Sequence, residues 1–127
     1  MTYLSRRLIG SFGPDRRFDP DYECNLMPSA ARTANATGDT YVMGNLTQAR
    51  LELIITAVSG SSPTLDVYIE TSNDETNWTV AGWFATETDA GTQRPPPFAQ
   101  CGKYIRAVCV LGGTNPSFTF SIEGRAV

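Results

Sequence analysis

Histidine is absent from this 127-residue chain, and lysine occurs once, at Lys103. Without imidazole there is no Ser-His-Asp or Cys-His nucleophile system, no His-ligated zinc and no histidine pH switch. Catalysis would have to run on carboxylates, Arg, Tyr or Cys alone, so no enzyme is expected here, and no catalytic residue is assigned. Cysteine is also scarce: Cys24, Cys101 and Cys109 are an odd number with no Cys-x-x-Cys spacing. Neither a metal cluster nor a disulfide framework follows from that pattern, and no metal or cofactor is expected. No apolar run approaches the roughly 20 residues of a membrane-spanning helix. The opening residues 1–10 contain Arg6 and Arg7 but no apolar core before Phe12-Gly-Pro-Asp. They do not read as a secretory signal, so synthesis and use without export are expected. A net charge of −3 provides no basic face for phosphates, so nucleic acid is not an expected partner, nor is a membrane.

What the chain has in quantity is Thr, Gly and Pro: 15, 11 and 8 residues. Its charge is unevenly placed. Residues 1–40 carry five Arg against five acids, whereas residues 41–127 carry five basic and eight acidic residues. Residues 1–40 follow neither helix nor strand periodicity, and Gly13-Pro-Asp-Arg-Arg-Phe-Asp-Pro is punctuated by proline and charge. We read them as an extended arm, with residues 41–127 as the folded domain. The arm's aromatics, Tyr3, Phe12, Phe18 and Tyr22, are too many for a solvated tail. The arm is therefore expected to lie on a surface, either its own domain or a neighbouring subunit. Arg6, Arg7, Phe12, Arg16, Arg17, Phe18 and Tyr22 are its candidate partner-binding residues.

From Tyr41 onward the pattern is β. Leu51, Leu53, Ile55 and Ala57 share one face, as do Leu65, Val67 and Ile69, and as do Phe118, Phe120 and Ile122. A one-residue slip would bury the intervening Asp66, Glu70 or Glu123, which specifies the register. With segments near residues 41–45, 77–86 and 102–111, this predicts an all-β fold, an antiparallel β-sandwich or barrel of about 6–8 strands. Cys109 is expected to be a small buried apolar residue. Cys24 and Cys101 lie beside predicted loops, where a subunit cross-link is the less favoured alternative in a reducing cytosol.

The chain also contains an echo at an offset of 53 residues. Residues 58–70, Val-Ser-Gly-Ser-Ser-Pro-Thr-Leu-Asp-Val-Tyr-Ile-Glu, align with residues 111–123, Leu-Gly-Gly-Thr-Asn-Pro-Ser-Phe-Thr-Phe-Ser-Ile-Glu. Gly60/Gly113, Pro63/Pro116, Ile69/Ile122 and Glu70/Glu123 are identical. The match weakens upstream, where Leu53 aligns with Arg106. This predicts two equivalent hairpins, 50–71 and 103–124, related by a pseudo-twofold axis. Chance similarity of Gly…Pro turns is the competing explanation.

Three segments invite a functional reading. Ser72-Asn-Asp-Glu-Thr-Asn-Trp78 has the Asn and Asp chemistry of a hairpin loop. It shares Ser, Asp and Trp in order with the Asp-box of sialidase-type propellers. It lacks the Gly, and its Trp comes early, so no sugar site is inferred; two adjacent acids also fall short of a calcium site. Trp78 and Trp83 are five positions apart and should face opposite sides of a strand unless Gly82 introduces a bulge. One is then expected in the core and the other at the surface or an interface. Arg94-Pro-Pro-Pro-Phe98 reads as a stiff crossover between the two halves. Asn35, Asn45 and Asn77 fit glycosylation sequons but are read as turn and strand chemistry. The acids all fall in turns or on polar strand faces.

Several of these strings together resemble a family. They are Ala57-Val-Ser-Gly-Ser-Ser-Pro-Thr-Leu-Asp-Val, Glu70-Thr-Ser-Asn-Asp with Trp78, Ala90-Gly-Thr-Gln, Tyr104-Ile-Arg-Ala and Gly112-Gly-Thr-Asn-Pro-Ser-Phe-Thr-Phe-Ser. With the upstream Ser29-Ala-Ala-Arg-Thr-Ala, they resemble a recurring family of small tailed-bacteriophage virion proteins across about residues 26–125. The resemblance implies a structural protein of the virion, a capsid decoration or head-auxiliary component, often trimeric. Its implied partners are the major capsid protein and itself. Arg6, Arg7, Arg16 and Arg17 would then pair with acidic sites on the shell. The alternatives kept open are a carbohydrate-binding attachment module on a fibre and a tail or neck component. Glu75 departs from the family pattern, which has Gly in that Asp-Gly turn.

Overall fold

The computed structural model describes residues 23–127. The arm candidates Arg6, Arg7, Phe12, Arg16, Arg17, Phe18 and Tyr22 lie outside them. Seven strands follow in chain order: β1 (Glu23–Arg32), β2 (Ala36–Thr37), β3 (Tyr41–Val42), β4 (Ala49–Ser72), β5 (Thr79–Trp83), β6 (Gly91–Gln93) and β7 (Tyr104–Ala126). Among the described residues there is no helix. The fold is all-β, as the period-2 alternation predicts.

β4 and β7 are 24 and 23 residues long and pair antiparallel along their whole length, from Ala49↔Ala126 to Ser72↔Tyr104. The two hairpins expected over 50–71 and 103–124 are therefore not formed. Each segment pairs with the other instead of folding back on itself. Alternation specifies which side chains point inward, and both pairings satisfy it equally well.

The pseudo-twofold survives in a different form, at the centre of this ladder. Ser61 pairs with Thr114, and on either side of that pair one strand bulges against a glycine of the other. Ser62-Pro63 of β4 stands opposite Gly113, and Asn115-Pro116 of β7 stands opposite Gly60. The backbone repeats with the 53-residue offset: Gly60 and Gly113 have φ of 114° and 100°, and Ser62 and Asn115 have 49° and 50°. A Cβ on Gly60 would lie 2.7 Å from the Asn115 carbonyl oxygen, and one on Gly113 would lie 2.6 Å from that of Ser62. Only glycine suits both the positive φ and that approach. A bulge is also where a sheet tolerates proline, which has no N–H for the ladder.

The upstream decay of the echo has a structural cause. Ile55 pairs with Phe120 but Ala57 with Thr119, which makes Thr56 an extra residue in β4. Beyond it the equivalence slips by one, so that Leu51, Leu53 and Ile55 match Ile105, Ala107 and Cys109. All six are buried.

β1 and β6 flank one half of the β4–β7 ribbon, while β2, β3 and β5 flank the other, which gives a seven-stranded sheet of order β1-β7-β4-β5. The inward residues of both halves form one core, a sandwich in which Phe118, Phe120, Leu53, Leu65, Ile69 and Ile122 are essentially inaccessible. Burying each such side chain contributes roughly 1.5–3 kcal/mol.

Residues 23–37, assigned to the arm by the sequence reading, belong to this sheet. β1 pairs with β7 from Glu23↔Arg125 to Arg32↔Phe118, and it places Cys24, Leu26 and Met27 in the core. Register shifts at Asn25/Met27 and Met27/Ala30 disrupt its alternation, which is why no period is visible in the sequence. Arg32 ties the strand down by donating to the carbonyls of Phe120 (2.8 Å) and Pro28 (2.6 Å), and it lies 4.5 Å from the Phe120 ring centroid.

Candidate interaction surface

The outward face of the β4–β5 half carries the aromatic groups. Tyr68 pairs with Trp83, Ile69 with Gly82, and Glu70 with Val80, so Ala81 is an extra residue in β5. That bulge reverses the parity between the tryptophans. Trp83, Val80 and Trp78 all lie on the outer face with Tyr68, Glu70 and Arg106. The expectation that one tryptophan enters the core is corrected: Trp83 is 60% exposed and Trp78 is half-buried. Phe84 and Phe98 fill the inward position instead, with ring centroids 5.3 Å apart.

Trp83 rests against Tyr68, with centroids 4.7 Å apart and planes tilted by 43°. Trp78 is covered: the Arg106 guanidinium lies 3.9 Å from its ring centroid, and its Nε1 donates to the Glu75 carbonyl. Arg106 also donates through Nε to Glu70 at 2.8 Å, with both side chains partly buried. Such an ion pair with a stacked cation fixes one corner of the face. At the other corner the Thr86 hydroxyl donates to Asp66. Between them Tyr68, Val80 and Trp83 present a ridge of apolar and aromatic surface; Val80 is 47% exposed.

The Ser72–Trp78 loop is turn chemistry, as expected. Asp74 accepts from the backbone N–H groups of Asn77 (2.8 Å) and Thr76 (2.9 Å), and from the side chains of Asn77 and Ser72 (both 2.9 Å). These bonds, led by the Asn77 amide, hold the Asp74 carboxyl well below the usual carboxylate range. Its oxygens are committed to the loop. Glu75 occupies the left-handed region with φ of 62°. Asn77 and Asn35 use their side chains structurally: Asn35 Oδ1 accepts from the Leu111 amide at 2.9 Å.

Among the described residues, no three His, Cys, Asp or Glu side chains converge as metal ligands would. Glu52 and Glu123 are direct cross-strand neighbours beside Glu23, around a shallow cleft of about 370 Å³ that Arg125 also lines. Arg94 pairs with Glu52 and offsets the like-charge contact. All three cysteines are free and buried. Cys24 lies within β1 and not in a loop, whereas Cys101 lies in the loop that precedes β7, as expected. Burial pushes the Cys24 thiol up to about 11 against a partial offset from the Tyr41 hydrogen bond, and it raises Cys101 and Cys109 as well. A buried protonated thiol is a poor candidate for a subunit cross-link.

Compared with protein-family models, curated proteins and solved structures, the chain matches none.

Of the surface residues, Tyr68 and Val80 escaped the sequence reading. Alternation does place Tyr68 outward between Asp66 and Glu70, but only the Ala81 bulge brings Trp83 beside it.

Proposed function

We propose that this chain is a structural protein of a tailed-bacteriophage virion, a decoration or head-auxiliary component that binds and stabilises the outer capsid lattice. It works by surface contact, with no catalytic step, cofactor or nucleic acid. The observation that carries the contact reading is the outward Trp83, beside Tyr68 and Val80 on the face of the sheet. Exposed aromatic residues are enriched where proteins meet, and they dominate binding energy there. The specific assignment to a virion rests on the strings at residues 57–67, 70–78, 90–93, 104–107 and 112–121 and on the family they resemble. The partners are the major capsid protein and further copies of the chain. The arm residues Arg6, Arg7, Arg16 and Arg17, with Phe12, Phe18 and Tyr22, supply additional contacts to the shell.

A reconstruction of the particle carrying the chain tests this. Density for the domain on the outer shell is expected; density at the neck or tail replaces decoration with the connector reading, and absence from the particle refutes both. Deleting residues 1–22, which leaves β1 whole, should lower capsid occupancy, and unchanged occupancy removes the arm from the proposal.

One observation favours a second reading, a carbohydrate-binding module for host attachment. The Ala81 bulge puts Trp83 and Tyr68 side by side on an exposed face, where a sugar ring can stack. Glycan-array binding that Trp83→Ala abolishes would favour it.

A further inference from the structure

The sheet's edges are not alike. β1 carries Pro28, two register shifts and the terminal charges of Glu23 and Arg32. β6 is three residues long and runs into Arg94-Pro-Pro-Pro97, while β2 and β3 are two residues each. Short strands, prolines, bulges and charges are the means by which proteins block edge-to-edge pairing. β5 lacks most of them. It is five residues long, and among the described residues it pairs on one side only, with β4. The run from Asn77 to Thr86 contains no charge and no proline. Its one irregularity, the extra Ala81, turns Val80 and Trp83 to the same face.

We propose that this edge of β5, unpaired among the described residues, pairs antiparallel with β5 of a second copy of this chain. Two features select that occupant. First, the strand is self-complementary. Paired residues of an antiparallel ladder share a face. The register that keeps outward residues opposite outward ones sets Val80 of one copy against Trp83 of the other, and Ala81 against Gly82. The same two contacts are made twice across a twofold axis, as an isologous interface requires. Second, each copy carries a net charge of −3. An uncharged edge lets like-charged copies approach without placing carboxylates opposite one another. The pairing would continue the Tyr68–Trp83 ridge across both molecules and bring Val80 and Trp83, which are 47% and 60% exposed in the single chain, into cross-strand contact. The inference goes beyond the virion reading and does not depend on it, since a sugar-binding module would carry the same edge.

Sedimentation equilibrium of the full chain, with hydrogen exchange followed as concentration rises, tests the pairing. A two-copy mass is expected, with exchange at residues 79–83 slowing as the dimer forms. Val80→Lys places a charge opposite Trp83 of the other copy, at both ends of the four-residue ladder, and should weaken association at least tenfold. Val110→Lys, at another outward valine away from this edge, should leave association unchanged, and thermal melts of both variants check that they fold. Three outcomes overturn the proposal: a chain that stays monomeric, a dimer indifferent to Val80→Lys, or the trimeric mass that the family resemblance implies. Any of these can occur while the domain still decorates a capsid, so failure here is distinguishable from failure of the virion reading.

Discussion

Gly60 faces Pro116 across the centre of the β4–β7 ladder so closely that a Cβ on it would lie 2.9 Å from the proline Cα. Gly113 faces Pro63 in the same way, at 3.0 Å. The two contacts exchange under the 53-residue offset, which makes them one device used twice. Each glycine accepts the bulge that admits the opposing proline into the sheet.

Replacing either glycine with alanine should therefore cost about 2–3 kcal/mol, from the positive φ and the backbone clash together. Because the sites are equivalent, Gly60→Ala and Gly113→Ala should lower the urea midpoint by similar amounts. A loss confined to one of them would contradict the equivalence.

At Glu75 the sign reverses. The residue is exposed and sits at φ of 62°, a region that costs an L-residue roughly 1–2 kcal/mol, while glycine's extra chain entropy costs about 0.5–1 kcal/mol. Glu75→Gly should raise stability by about 0.5–1 kcal/mol, read as a higher melting temperature. A lower one would show that the Glu75 side chain contributes to the loop.

Asp74 makes the loop acid-sensitive. Its pKa is depressed in the folded state by hydrogen bonds to the charged form. The stabilisation is present above the unfolded-state value of about 3.9 and is lost as pH falls below it. Asp74→Ala should lower the urea midpoint at neutral pH, with the difference from wild type shrinking in acid. Equal sensitivity to acid in both proteins would remove Asp74 as the cause.

Cys24 acts at the other end of the scale. Its folded pKa is raised from 9.0 to about 11, so the folded state holds its proton where the unfolded chain releases it. Stability is complete below about pH 9 and falls as pH rises towards 11, by up to about 3 kcal/mol for a shift of this size. Cys24→Ala should flatten much of that alkaline decline, although the cavity lowers stability at neutral pH. Denaturation midpoints across the alkaline range decide the matter.

Much of the architecture is legible in residue order alone. Alternation in Leu51–Ala57, Leu65–Ile69 and Phe118–Ile122 specifies strands and their inward faces, because a slip would bury carboxylates. The 53-residue echo reports a real twofold relation, down to matching φ values at Ser62 and Asn115. The turn chemistry of Asp74 is local and therefore readable from its neighbours.

Partner choice and irregularity are not legible in this way. Alternation states which side chains point inward but not which strand lies alongside, so hairpins and a long paired ribbon carry the same pattern. Single extra residues at Thr56 and Ala81 shift every side chain beyond them to the opposite face, and nothing about a threonine or an alanine announces a bulge. The absent histidine, the single lysine and the inward faces are properties of the sequence. The pairing of β1 with β7, the burial of three cysteines and the meeting of Trp83 with Tyr68 were decided by tertiary structure, because each depends on contacts between distant segments.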